Sequence, residues 1–388
     1  MAGGPEAIEI AREVGFDLAG IAPLAPPRAA ERFARWLAAG HQAAMAWLER
    51  ARETIRDPRR LHPGGRSILV VGLSHRRPAA ALASGGKIAR YALGADYHGV
   101  LGLLLARLAE RLRRAGVGGR LLSFVDAAPL LERSHAAEAG LGFESRSANL
   151  LHPRLGPWFF LGEIVLEEEL EPTPAPRLPS CGTCTACLEA CPTGALVEPG
   201  ILDARLCLSY HTIEHRGPIP RALRPRLAGW LFGCDVCSEV CPFGRRAADA
   251  SARYGTHPAL EAVDLPGLVR MPQAAVEASF AGSALRRPGR VGLARNAALL
   301  LGLLPREEGR AALEEALERD ASPVVREAAA WAILAGHGAD AGVREAVERA
   351  RRREPVPWAE RSMGGDPAEN LPAPASRNPN AGAARSDS

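Results

Sequence analysis

Apolar and polar positions along the first part of the chain follow two periods. Helical spacing, with apolar residues three and four apart, runs near residues 5–14, 29–38, 98–115 and 130–139. Short runs of strand character lie near residues 17–21, 67–73 and 121–125. Alternation of the two predicts a mostly three-layer α/β domain over residues 1–171. Its closing stretch predicts paired strands at residues 148–151 and 158–167, around a turn that prolines and Gly156 interrupt.

Residues 171–180 read Glu-Pro-Thr-Pro-Ala-Pro-Arg-Leu-Pro-Ser, a connector that runs extended. A cysteine-rich module is expected over residues 172–250 and a helical domain over residues 251–350. There Arg295-Asn-Ala-Ala-Leu-Leu-Leu and Arg326-Glu-Ala-Ala-Ala-Trp-Ala each open a similar apolar helix, which predicts a HEAT-like α-helical pair. From residue 351 to 388 periodicity gives way to Pro, Gly, Asn and Ser, and a disordered tail is expected.

A chain of 388 residues has room for two or three cores. Its 47% hydrophobic and 24% charged residues are the balance of a soluble globular protein. The longest apolar runs, near Leu101 and Leu299, fall far short of the ~20 residues a bilayer needs, so no membrane partner is expected. The charged, helix-like start carries neither an apolar export core nor twin arginines, and a cytoplasmic protein is expected. A net charge of +4 is too mild to identify a nucleic-acid binder by itself. Lys87 is the only lysine, so single arginines carry little information.

The eight cysteines change the picture. In a reducing compartment they read as metal ligands rather than disulfides. Cys181-x2-Cys184-x2-Cys187-x3-Cys191-Pro192 is the run of bacterial-ferredoxin-like proteins, Cys234-x2-Cys237-x3-Cys241-Pro242 is a shorter version, and Cys207 lies between. Three closely spaced thiolates wrap one cubane, and the cysteine before proline is turned toward the neighbouring cluster. That logic assigns Cys181, Cys184, Cys187 and Cys241 to one [4Fe–4S] cluster, and Cys191, Cys207, Cys234 and Cys237 to a second. Structural zinc is the competing reading. Two adjacent clusters pass single electrons but name no substrate.

Other stretches, in order, are Ile88-Ala-Arg-Tyr-Ala-Leu-Gly-Ala-Asp-Tyr97-His98, Phe124-Val-Asp126-Ala-Ala-Pro-Leu-Leu-Glu132-Arg133 and Gly140-Leu-Gly142. Trp158-Phe-Phe-Leu-Gly-Glu163, Asp203-Ala-Arg-Leu-Cys207-Leu-Ser-Tyr210-His-Thr-Ile-Glu214 and Gly233-Cys-Asp-Val-Cys237 follow. Together these resemble the epoxyqueuosine reductases over about residues 5–300. The resemblance implies an α/β cobalamin-binding domain beside the cluster module. It implies reduction of an epoxide to an alkene on a modified anticodon base of tRNA. Two [4Fe–4S] clusters would reduce cobalamin and give low-valent cobalt, with a low-potential flavodoxin- or ferredoxin-type donor upstream. A monomer satisfies these requirements.

By the same resemblance Asp126 is the proton donor, expected at a strand end where Ala127, Ala128 and Pro129 limit solvation and raise its pKa. From the residues alone it also reads as an N-cap for a helix near Leu130. Asp96, Tyr97 and His98 are implied active-site polar groups. His98 is a poor axial ligand, because Leu101 stands where Asp-x-His-x-x-Gly needs glycine; a hydrogen-bonded pair opening a helix is the alternative. Implied cofactor contacts also include Arg56, near Arg52, and Leu150, with Ser209, Tyr210, Cys234, Asp235 and Val236 around the second cluster. Arg286, Arg287, Arg290, Arg295 and Asn296 are candidate phosphate contacts, or else solvated surface.

The resemblance breaks at Phe143-Glu144-Ser145-Arg146, where the family usually reads Trp-x-Gly-Lys. Serine in place of glycine is expected to alter a backbone turn. Two rival functions are a reductive dehalogenase-like corrinoid enzyme and a ferredoxin-like carrier without its own active site.

Overall fold

The computed structural model describes residues 3–174, 176–304 and 307–354. The expected tail beyond residue 354 lies outside them. The last helix, Ala341–Arg353, runs to their edge.

A four-stranded sheet organises the first part, in the order Leu18–Pro23, Ser67–Ser74, Phe159–Leu166, Leu121–Phe124, with every neighbouring pair antiparallel. Ser67–Ser74 is buried along its whole length because Ile-Leu-Val-Val puts apolar side chains on both faces. Helices Gly4–Val14 and Tyr97–Arg114 cover one face, setting Ile10, Leu101, Leu105 and Leu108 against Leu69, Val71 and Ile164. Helix Glu132–Glu138 covers the other, with Ala136 near Ile68, Val70 and Val165. Gly20 permits that close packing, since a Cβ there would lie 2.2 Å from the Ala139 carbonyl oxygen.

The three layers match expectation, but one predicted pairing does not form. Leu150–Leu151 pairs with Phe143–Glu144. Phe159–Leu166 has both edges taken by Ser67–Ser74 and Leu121–Phe124, leaving only the bridge between His152 and Gly156 across the predicted turn.

The cysteine module is joined to the α/β part by a shared sheet. Lys87–Ile88 lies parallel to Trp230–Phe232 and antiparallel to Ala80–Ala81. Trp230, Leu231 and Phe232 then enter one core with Ile88, Leu93, Leu265, Leu268 and Leu293. Tyr254 reaches back into the α/β core.

Helices Gly289–Leu303 and Pro323–His337 cross closely at Gly302, where a Cβ would meet the Ala332 Cα at 2.5 Å. The first is buried from Gly292 to Gly302 because its apolar residues occupy every side. Arg224 of the cysteine module forms a buried ion pair with Glu327 of the second, at 2.8 Å. Among the described residues no helix is long and apolar enough to cross a membrane.

Candidate active site

Folding sorts the eight thiols into two groups of four. Cys181, Cys184, Cys187 and Cys241 line one cavity with Ser145, Ser147 and Phe243. Burial, then the neighbouring Cys181 and Cys184, raises the Cys187 and Cys241 thiols. The second group is Cys191, Cys207, Cys234 and Cys237: burial, then Cys207 and Cys191, pushes Cys237 up to about 12, and Cys234 rises through burial and its neighbours Cys207 and Cys237. Backbone N–H groups of Ser209, Tyr210 and Val236 point at thiols of this group. The first four thiols surround a cavity, the arrangement in which a cubane is held.

Asp126 follows the strand Leu121–Phe124 with φ of 52°, a conformation that costs a non-glycine residue roughly 1–3 kcal/mol. Two contacts hold it there. The Tyr97 hydroxyl donates to its Oδ2 at 2.5 Å, and the Glu132 Oε1 accepts its backbone N–H at 2.9 Å. The N-cap reading of Asp126 fails, because the helix starts at Glu132 with Leu131 before it and no side-chain cap. The expected desolvation fails too. The Asp126 side chain is 60% exposed, since the alanines after it do not fold over it.

Tyr97 stacks on Phe160, ring centroids 4.3 Å apart and 7° from parallel, so its hydroxyl is aimed rather than free. Asp96 caps the helix through the His98 N–H at 3.0 Å and bonds the His98 Nδ1 at 2.7 Å. That bond raises the His98 imidazole and lowers Asp96. His98 Nε2 then faces Asp126 Oδ2 at 3.9 Å. The helix-opening pair and the active-site polar role are thus the same arrangement.

Tyr91 links this group to the second thiol group. Burial, then the charges of Asp126, Asp235, Glu214 and Asp96, holds its hydroxyl well above the ordinary range, so it senses both sides. Asp235, next to Cys234, accepts the Arg90 N–H at 2.8 Å, and burial pushes its carboxyl up to about 6.

The remaining predicted residues divide. Arg287 makes a two-pronged pair with Glu214 at 2.9 and 3.0 Å, and feels Asp126 and Tyr97; Arg286 is exposed and acts on Asp96. Arg290, Arg295 and Asn296 are not available to phosphate. Arg290 is bound to Asp320 at 2.8 Å. Arg295 and Asn296 are fully buried, Arg295 donating to the carbonyls of His211, His215 and Gly217, and Asn296 to those of Thr212 and Leu231. The helix carrying them is covered on all sides.

Arg56 pairs with Glu31 at 2.8 Å in a helical corner rather than with the Asp126 group, and the nearby Arg52 pairs with Glu49. The Leu150 side chain is buried in the α/β core, so any contact from that position is through its backbone. Tyr210 is buried, its hydroxyl accepting the Ala44 N–H at 3.1 Å. Ser145 is not in a left-handed turn: its hydroxyl donates to the Asn149 carbonyl at 2.8 Å and meets Ser147, so serine supports the turn where glycine was expected. Glu144 pairs with Arg32.

Three functional candidates escaped sequence reasoning. Trp47 is exposed and lies under the Arg287 guanidinium, whose central carbon is 5.7 Å from the ring centroid. Glu132 holds the Asp126 loop. Glu163 is wholly buried mid-strand, and its signal was visible: one carboxylate in Phe-Phe-Leu-Gly-Glu-Ile-Val-Leu.

Residues 180–244 match the family described as a 4Fe-4S double cluster binding domain, and residues 56–127 match "Epoxyqueuosine reductase QueG, DUF1730". An epoxyqueuosine reductase of Gloeobacter violaceus is 42% identical over 302 residues, spanning 75% of this chain and 93% of its own. A crystal structure of epoxyqueuosine reductase with an epoxyqueuosine-modified tRNA-Tyr stem loop superposes with a TM-score of 0.79 at 28% identity, covering 92% of this chain and 97% of that one. A Bacillus subtilis epoxyqueuosine reductase, captured with its catalytic aspartate loop swung out of the active site, superposes with a TM-score of 0.76 at 27% identity over 92% and 97% of the two chains. With its paired thiol groups, its loop aspartate and this likeness over most of its length, the chain belongs to the epoxyqueuosine reductase family.

Proposed function

We propose that this protein reduces epoxyqueuosine in the anticodon loop of tRNA to queuosine, using two [4Fe–4S] clusters and cobalamin. One observation carries the reading: Tyr91, edge-on to Tyr97 of the Asp126–Tyr97–His98 group with ring centroids 6.1 Å apart, packs on the same core as Cys234 and Val236. Electrons and protons are thereby brought to one place.

The first thiol group, with Cys184 exposed, would hold the cluster that meets a flavodoxin- or ferredoxin-type donor. The second would hold the cluster nearest the substrate. Asp96, His98 and Asp126, partly exposed beside the stacked rings of Tyr97 and Phe160, would offer polar contacts to the amide edge of a corrin. Ser209, Cys234, Asp235 and Val236 would meet it from the cluster side. Cobalamin supplies low-valent cobalt as the reductant for the epoxide.

The protein's own part is proton supply and positioning. Opening an epoxide develops negative charge on oxygen, and a donor in hydrogen-bond reach lowers that barrier. Asp126 is placed for it: Tyr97 fixes the carboxyl, and His98, oriented by Asp96, faces the same oxygen. The catalytic aspartate loop of the Bacillus subtilis relative supports giving Asp126 this role.

Arg286 and Arg287 would take phosphates of the anticodon loop, and Trp47 offers a ring face to an unstacked base. The two helical hairpins that carry Arg295 and Arg326 are read as HEAT-like.

Anaerobic reconstitution with iron, sulfide and cobalamin, followed by nucleoside analysis of epoxyqueuosine-bearing tRNA, tests the reading. Queuosine should form only with all three and a low-potential reductant. Asp126→Asn should keep the clusters and lose turnover. A colourless zinc protein, or a fully loaded protein that leaves epoxyqueuosine unchanged, would refute it.

A further inference from the structure

Glu163 stands at the centre of the sheet, opposite Val70 on one side and Phe124 on the other, and is 0% exposed. Neither of its carboxyl oxygens receives an N–H or hydroxyl donor. The acidic group that bears on it is the carboxyl of Glu132, on the covering helix. A wholly buried carboxyl with no donor to either oxygen, beside a second carboxyl, cannot stay charged together with it: the pair carries a proton. Glu132 is in turn the acceptor for the Asp126 N–H, at 2.9 Å.

Burial and mutual repulsion act in the same direction. Desolvation, then Asp126, pushes Glu132 up to about 7, and desolvation with Glu132 raises Glu163 further. The other groups nearby do not neutralise the pair. Arg133 eases Glu132 slightly, but its guanidinium goes to the Ala148 carbonyl at 2.7 Å. His135, on the same helix, is buried and pushed down to about 4, hence neutral at working pH. Tyr97 bears on Glu132 only as a neutral phenol. An isolated buried carboxyl pair is costly to keep in a sheet. Its place behind the Asp126 loop gives it a use.

We infer that Glu163 and Glu132 share one proton and deliver it to Asp126, making the buried pair the internal source from which the proton donor is recharged. This rests on the function proposed above. Reducing an epoxide to an alkene breaks both C–O bonds and consumes two electrons and two protons, releasing water. The electrons come one at a time through the clusters from the external donor. Asp126 gives the first proton to the ring oxygen and becomes a carboxylate. The shared proton passes through Glu132 to Asp126, which gives it as the second. Solvent refills the pair between turnovers. Glu132 and Glu163 act through Asp126 and do not touch substrate.

Glu163→Gln preserves shape but cannot pass a proton. Clusters and fold, followed by visible absorbance and circular dichroism, should be unchanged. Turnover should fall about 10- to 100-fold, less than the roughly 100- to 10,000-fold of a direct general acid because the pair acts through Asp126, with a larger solvent deuterium effect and an altered pH profile. In substrate-free protein, a protonated-carboxyl infrared band should titrate near pH 7 and vanish in both Glu163→Gln and Glu132→Gln. Wild-type turnover and pH profile in Glu163→Gln, or no such band in the wild type, overturns the relay. A wild type that shows the band yet leaves epoxyqueuosine unreduced overturns the parent function, and the proton's destination with it. The two failures are told apart by whether the enzyme works.

Discussion

Replacing Arg295 by methionine separates a structural arginine from an RNA-binding one. Its guanidinium donates to three backbone carbonyls, at 2.6–2.8 Å, and to the Asn296 Oδ1 at 2.8 and 3.0 Å, with no exposed surface. Methionine has similar length and no donor. Three carbonyls left without that donor cost about 1–3 kcal/mol each. Removing a desolvated charge returns part of this, so a net loss of about 3–5 kcal/mol is expected, as for other broken buried charge networks. At roughly 2–4 °C per kcal/mol for the cysteine module and helical part, which share one core and unfold as one unit, the unfolding midpoint should fall by about 6–20 °C. Thermal and urea unfolding followed by far-UV circular dichroism measures it. At low temperature, where Arg295→Met is still folded, the salt dependence of its tRNA affinity should equal the wild type's. An undiminished midpoint together with a shallower salt dependence would mean that Arg295 meets phosphate and that its buried placement is wrong.

The exposed counterpart should behave oppositely: Arg287→Ala should leave stability nearly unchanged and reduce the slope of log affinity against log salt by about one, measured by tRNA binding across a salt series. Tyr97→Phe removes a hydrogen bond to a carboxyl worth about 1.5–3 kcal/mol, so kcat should fall roughly 10- to 150-fold with cluster content intact; an unchanged kcat would show that Asp126 needs no help from it. His75 and His135 are buried and pushed down from 6.5 to about 3 and about 4. Because the unfolded chain takes up protons first, their contribution to stability is full above pH 6.5 and is lost as pH falls toward those values. His135→Phe should flatten the decline in denaturant-measured stability below pH 6.5, and an identical pH slope in variant and wild type would refute the assignment.

The cysteine grouping was legible because local spacing and the prolines after Cys191 and Cys241 dictate which thiols meet. The layers of the α/β part were legible from period alone. Pairing was not: what occupies the edges of Phe159–Leu166 is decided by strands distant in sequence. Arg295 and Asn296 were misassigned because an arginine in an arginine-rich chain looks like surface. The uninterrupted apolar surroundings of their helix were the better guide. Asp126 was found, but for the wrong environment, since three small residues do not cover a carboxyl unless the loop folds over it. Glu163 showed itself as a lone charge in an apolar strand, whereas its partner Glu132 could be placed only by the helix-on-sheet packing.

The strand Trp230–Phe232 is completed by Lys87–Ile88, which belongs to sequence lying well before the first cysteine. A fragment cut at residues 172–250 would therefore carry an open edge bearing three large apolar side chains, and should clump rather than fold as a stand-alone electron carrier. In the intact chain the same splice ties the Cys234–Cys237 loop, just after that strand, to the segment that leads into Asp96 and Tyr97, so the two sides of the proposed site would move as one piece.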